Sequence, residues 1–258
     1  MYTLGIDIGS TTSKCVILED GKTMVAKALV PAGTGTRGPA MAHAQVLEAA
    51  GLTEADIAYT VATGYGRNSY PKKDAEVSEL SCHAKGVYFK NPNCRTIIDI
   101  GGQDAKVIKL GNNGVISDFV MNDKCAAGTG RFLDVMANIL MLKVDELEEY
   151  ALRAKNPVKI SSTCTVFAES EVISQLSQNV NQDDLIAGIC NSVATRVTSL
   201  AKRIGITEEV CMSGGVAQNA GVREALSREL KTTVVMAEDA QYMGALGAAI
   251  AAYEKSKH

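Results

Sequence analysis

The chain has 258 residues, 46% of them hydrophobic and 21% charged, with a net charge of −3, enough for one large domain or two smaller ones with their own cores. It carries no basic run, which argues against a nucleic-acid surface, and no apolar stretch approaches the roughly 18 residues of a membrane span. Seven cysteines, an odd number without disulfide-framework spacing, fit a reducing cytoplasm, and the entry straight into a strand predicts no signal peptide.

In chain order, residues 4–8 form a short apolar run closing on Asp7 and Gly9. After the polar turn Gly9-Ser10-Thr11-Thr12, residues 13–18 and 24–30 read as two further strands of an antiparallel meander. Residues 39–50 are helical and Gly51 fits the stop. Residues 57–63 are a strand running into the glycine-rich T-G-Y-G-R, and 77–89 a helix ended by Asn91-Pro92. The pattern then starts again. D-I-G-G-Q-D-A-K-V-I, from Asp99, matches D-I-G-S-T-T-S-K-C-V-I, from Asp7, and residues 96–100 and 115–121 supply the matching strands. A spacing of 92 residues suits a duplicated domain rather than a solenoid repeat. The remaining segments read as helices over 130–152, 165–178, 183–203, 221–230 and 240–255, and strands over 209–212 and 232–236. The expected organisation is a first subdomain over 1–94 and a second over 95–258, with the last helix packing back on the first. Two such halves suggest the α/β architecture of the actin, Hsp70 and sugar-kinase superfamily, with a nucleotide cleft between them.

Polyphosphate needs closely spaced N–H donors, and glycine lets backbone approach it. Ser10, Thr11, Thr12, Ser13 and Lys14 offer amides, hydroxyls and one cation, and Gly101, Gly102 and Gln103 form a second hairpin. Asp7 and Asp99, at strand ends, suit Mg²⁺ held through waters. Gly214, Gly215 and Val216, between a strand and a helix start, suit the ribose or α-phosphate. Gln218, Asn219 and Gln241 are candidates for the nucleoside end, where Gly244 would allow close approach. Three such loops in this order point to ATP, while the chain lacks both a P-loop and a Rossmann fingerprint. Gln103 could orient water for hydrolysis, and it also reads as a hairpin-tip residue.

Two further motifs pair a cysteine with a helix entry: N-D-K-C-A-A-G-T-G-R around Cys125 and S-S-T-C-T-V-F-A-E-S-E around Cys164. The first precedes a helix with Phe132, Val135, Met136, Ile139 and Leu140, the second one with Val172, Ile173 and Leu176. A thiol beside unpaired helix N–H groups and the positive dipole end is favoured as thiolate. Two thiolates per chain fall short of the usual four ligands of a zinc or iron–sulfur site, and a two-fold dimer would supply the other pair. Cys15, Cys82, Cys190 and Cys211 read as small buried hydrophobes. Cys94 reads the same way or as a loop residue. His43, His83 and His258 lack ligand spacing and read as surface or packing residues. Glu169 and Glu171 suit the start of the helix after Cys164.

Together these motifs resemble the activator ATPases of (R)-2-hydroxyacyl-CoA dehydratases, in particular those serving 2-hydroxyglutaryl-CoA dehydratase, within a wider family that includes benzoyl-CoA reductase ATPase subunits. The likeness runs over essentially the whole chain. It implies a homodimer sharing one [4Fe-4S] cluster on Cys125 and Cys164 of each subunit, bound ATP/ADP, and ATP-driven transfer of one electron to an iron–sulfur dehydratase. Recharging by ferredoxin or flavodoxin and an anaerobe's cytoplasm are also implied. For a one-electron step each ~59 mV is about 1.4 kcal/mol, so a shift of a few hundred millivolts exceeds the roughly 1–3 kcal/mol of ordinary allosteric coupling. Both ATP hydrolysis and partner docking are therefore expected to drive the electron. The competing readings are a benzoyl-CoA-reductase-like electron-transfer subunit, a small-molecule kinase of the same superfamily, and a zinc-bridged or actin-like scaffold.

Overall fold

Along the first strand Leu4, Ile6 and Ile8 alternate with Thr3, Gly5 and Asp7, and that alternation decides what packs on each face of the first sheet. The computed structural model describes residues 1–161 and 164–257, so His258 and the Ser162-Thr163 pair of the second cysteine motif lie outside the described residues. β1 (Tyr2–Ile8) pairs antiparallel with β2 (Ser13–Glu19), β2 with β3 (Thr23–Val30), and β1 parallel with β4 (Ile57–Thr63). A short β5 (Ala75–Glu76) completes the order β3-β2-β1-β4-β5. Leu4, Ile6 and Ile8 pack with Ala42 and Val46 of α1 (Gly38–Ala50), which ends on Gly51 in the left-handed conformation (φ 64°).

The other face belongs to α8 (Met243–Lys255) and α2 (Glu79–Lys90). Thr3 Oγ1 donates to the Ala249 carbonyl at 3.1 Å. A Cβ at Gly5 would collide with the Ala245 carbonyl oxygen and the Ala249 amide, so the alanine-rich helix lies flush against bare strand. These elements form one compact unit: Met1–Asn93, the short Leu110–Ile116 turn and the residues from Gln241 on. The first unit thus takes in the last helix and one later turn beyond residue 94.

The second unit, Cys94–Lys109 with Ser117–Ala240, repeats the topology. β6 (Thr96–Ile100) pairs antiparallel with β7 (Ala105–Leu110) and parallel with β9 (Val210–Ser213); β8 (Ile116–Asn122) and β10 (Val234–Met236) complete the order β10-β9-β6-β7-β8. Asp99 lies opposite Lys106 and Ser213 as Asp7 lies opposite Lys14 and Thr63. Its helices are α3 (Gly130–Ile139), α4 (Leu147–Arg153), α5 (Thr165–Ser177), α6 (Gln182–Ala201) and α7 (Ala220–Leu230).

The helix expected over 130–152 is broken. Met141 adopts φ 57°, Leu142 N–H closes on the Ala137 carbonyl at 2.9 Å, and Glu146 caps a new start through the Lys143 amide. The segment expected as a helix from residue 240 opens with the 3₁₀ turn Ala240–Tyr242. Phe132, Leu133 and Met136 of α3 are fully buried. On α5 only Ala168 and Val172 are buried, while Val166, Phe167 and Ile173 are 65%, 68% and 51% exposed. No helix among the described residues is long and apolar enough to cross a membrane.

Candidate functional site

In the first unit the β1–β2 hairpin closes with Gly9 N–H on the Thr12 carbonyl at 2.9 Å, and Thr34 N–H braces it from outside through the Gly9 carbonyl at 2.9 Å. Ser10, Thr11 and Thr12 are at least partly open to solvent. Ser13 is not: it is buried and donates to the Ala32 carbonyl at 2.7 Å, so its hydroxyl braces the hairpin instead of facing a phosphate. Lys14 stands 3.9 Å from the Asp7 carboxylate. Gly244 of α8 lies against that same carboxylate: a Cβ there would sit 2.7 Å from Asp7 Oδ2 and 3.0 Å from His83 Nε2. Gly244 therefore makes room for Asp7 within the first unit, and its neighbour Gln241 belongs to that unit too.

The second hairpin has the same closure, Gly101 N–H to the Asp104 carbonyl at 2.9 Å, with Gln103 exposed at its tip. Its aspartate differs. Asp99 accepts from Ser213 Oγ at 2.7 Å and from Lys106 Nζ at 3.2 Å, and Lys106 also pairs with Asp104 at 2.7 Å. Asp99 is thereby committed inside the protein. Lys106 and Ser213 escaped the sequence reading, although Lys106 was recoverable as the repeat counterpart of Lys14. The third loop leaves β9 through Gly214 (φ 85°), where a Cβ would collide with the Ile100 carbonyl, and Gly64 (φ 83°) does the same over Ile8 after β4. Gly215 and Gln218 are exposed and Val216 is buried. Asn219 is buried and caps α7, its Oδ1 accepting from Val222 N–H at 3.0 Å, while its Nδ2 is buried without a hydrogen-bond partner among the described residues.

Burial sorts the cysteines. Cys15, Cys82, Cys94, Cys190 and Cys211 are buried; Cys125 and Cys164 are exposed. Burial pushes the Cys15, Cys82 and Cys190 thiols up, the last two to about 12, and Cys94 is raised by its hydrogen bond with Cys211 and by burial. Cys94 is therefore a core residue rather than a loop thiol, and these groups stay protonated and poor ligands. Cys164 is the residue just before α5, as the helix-entry reading expects. Glu171 is in the second turn of α5 and reaches back to the Ser161 amide at 2.9 Å. Cys125 departs from that reading: it lies in a loop five residues before α3, and the first amides of α3, on Gly130 and Arg131, already donate to the Gly101 and Gly102 carbonyls at 2.9 and 2.8 Å. Asn122 clamps the loop instead, Nδ2 donating to the Cys125 carbonyl at 2.8 Å and Oδ1 accepting its amide at 3.2 Å. His43 and His83 are both buried.

Comparison with known proteins adds three findings. The chain is 60% identical, over 99% of its length and 98% of the relative's, to the (R)-2-hydroxyglutaryl-CoA dehydratase activating ATPase of Acidaminococcus fermentans. The solved structure of the activator of the 2-hydroxyisocaproyl-CoA dehydratase from Clostridium difficile with bound ADPNP superposes with a TM-score of 0.98 at 55% identity, covering 100% of this chain and 96% of that one. A ROK family glucokinase from Streptomyces griseus, in complex with glucose and AMPPNP, is 14% identical with a TM-score of 0.58, covering 98% of this chain and 100% of that one, and shares the fold alone. With two repeated α/β units, three glycine loops, and a match over residues 4–252, the chain belongs to the BadF/BadG/BcrA/BcrD ATPase family, on the actin, Hsp70 and sugar-kinase fold.

Proposed function

We propose that this ATPase activates a (R)-2-hydroxyacyl-CoA dehydratase, with 2-hydroxyglutaryl-CoA dehydratase the first candidate, by passing it one low-potential electron as ATP is hydrolysed. The observation that carries the reading is the exposure of Cys125 and Cys164 against five buried cysteines. Among the described residues of one chain, no group of three His, Cys, Asp or Glu could hold a metal ion. Two exposed thiols per subunit fit a four-thiolate site shared by a homodimer. A [4Fe-4S] cluster, when bound there, supplies the one-electron couple. Ferredoxin or flavodoxin as donor and the cytoplasm of an anaerobe complete the proposal.

The remaining roles fall to this chain's own groups. Ser10, Thr11 and Thr12 donate to phosphate from the first hairpin, where Lys14 offsets charge, and Gly101 and Gly102 offer phosphate the backbone of the second hairpin. Gly214 and Gly215 approach the ribose or α-phosphate, and Gln218 the nucleoside end. Of the two aspartates, Asp7 suits water-mediated Mg²⁺, because Asp99 is taken by Lys106 and Ser213. Gln103, exposed at the hairpin tip, is the candidate for orienting the attacking water.

Anaerobically purified protein is expected to show visible iron–sulfur absorbance that dithionite bleaches. Cys125→Ala and Cys164→Ala should each abolish colour and iron while ATP is still split without a phosphorylated product. A colourless wild type containing zinc, or a coloured alanine variant with its iron intact, would refute the proposal.

A further inference from the structure

The leading amides of a helix have no acceptor within it and must find one elsewhere. α3 has no side-chain cap: the hydroxyl of Thr129, the residue before it, is spent on the Ala126 carbonyl at 2.6 Å. Its first two amides instead donate to Gly101 and Gly102, so the tip of the β6–β7 hairpin is the cap of α3. Both ends of this link are stiff. On the hairpin side, the buried Lys106 ammonium ties Asp104, at 2.7 Å, to Asp99, at 3.2 Å. On the helix side the segment back to Cys125 is short and braced at three points. Asn122 clamps Cys125, Thr129 N–H closes on the Ala126 carbonyl at 3.0 Å, and Gly128, at φ 86°, is pressed so close to Arg196 of α6 that a Cβ there would sit 3.0 Å from its Cβ. Few torsions are left to absorb a displacement between hairpin and cysteine.

We propose that the Gly130→Gly101 and Arg131→Gly102 hydrogen bonds are the relay by which nucleotide at the second hairpin repositions Cys125, with Lys106 and Asp104 as positioning residues that keep the hairpin stiff. The relay rests on the nucleotide reading of Gly101–Gly102 and does not depend on what Cys125 ligates. It is therefore testable in the full chain stripped of metal by a chelator. The alkylation rate of Cys125, separated from that of Cys164 by peptide mass, is measured with ADP and with a non-hydrolysable ATP analogue, and binding of both nucleotides is followed by calorimetry. In the wild type the two rates should differ severalfold. Arg131→Pro deletes one donor at a first-turn position that accepts proline; it should keep nucleotide affinity and lose the difference. Arg131→Ala, which keeps the N–H, should behave as wild type.

Should the proline variant fail to fold, hydrogen exchange of the Gly130 and Arg131 amides in the wild type decides: their protection should change between the two nucleotides. Equal Cys125 rates and equal exchange in a wild type that binds both nucleotides would overturn the relay. So would a proline variant with an unchanged nucleotide response. A wild type that binds neither nucleotide would overturn the nucleotide reading, and the relay with it.

Discussion

His43 lies between Tyr70 and Glu54 inside the first unit. An ionised carboxylate only accepts, so His43 Nε2 donates to Glu54 Oε2, at 2.9 Å, and its Nδ1 accepts from the Tyr70 hydroxyl. Burial lowers the His43 pKa from its ordinary 6.5, with Lys72 adding to the effect and Glu54 opposing it, and burial raises that of Tyr70. Burial raises the Glu54 pKa too, but Lys72, 2.9 Å away, and His43 outweigh it and leave Glu54 lowered. A histidine whose folded pKa lies below its unfolded value makes the unfolded state bind more protons just beneath 6.5. Its contribution to stability is therefore complete above that pH and is lost as pH falls through the folded value. The urea midpoint should drop as the pH is lowered below about 6.5. Tyr70→Phe removes the donor to a buried acceptor and should cost about 1–3 kcal/mol at neutral pH. It should also flatten the acid dependence, since protonating Nδ1 then breaks no bond; urea titrations of both proteins at several pH values would show an unchanged slope if the hydrogen bond is not what resists protonation.

At the scale of elements, bare backbone lets α8 lie flush on β1. Gly5→Ala places a methyl against the Ala245 carbonyl and the Ala249 amide, neither of which is a movable side-chain end. Overpacking of this kind costs roughly 1–3 kcal/mol or more, which should lower Tm by about 2–4 °C for each kcal/mol; a thermal melt with an unchanged midpoint would contradict the flush packing. The same elements mark how far the sequence can be read. The strands at Ile57–Thr63 and Thr96–Ile100 were legible from short apolar runs and flanking turns, and Gly51 from the rule that helices stop on glycine. The break after Ile139 was not, because the left-handed residue there is Met141 rather than glycine. The cap of α3 comes from residues almost thirty positions earlier, and no local pattern records it. For the same reason Ser13 looked like a free hydroxyl, whereas a tertiary partner at Ala32 engages it. Lone cysteines carry no burial signal of their own, so Cys94 could be placed only by the fold.

Across the whole molecule, one motif occurs twice and has diverged in its electrostatics. Both copies run Asp-Ile-Gly to a lysine seven residues after the aspartate, and both set that lysine opposite the aspartate in the hairpin register. Where the first copy has Thr12, the second has Asp104. That one difference gives Lys106 two carboxylates, at 3.2 and 2.7 Å, while Lys14 has one at 3.9 Å and keeps more of its side chain in solvent. A cation held between two anions in the interior has little charge left for phosphate, whereas a loosely paired one at a hairpin mouth can turn to it. The two lysines should therefore fail differently. Lys106→Met leaves two carboxylates without their cation, one of them buried, and breaking a buried pair costs about 3–5 kcal/mol; its urea midpoint should fall steeply. Lys14→Met should lose far less stability and instead raise the KM for ATP. If Lys106→Met unfolds at the wild-type midpoint, or if Lys14→Met splits ATP with an unaltered KM, the two copies have not divided structure and binding between them in this way.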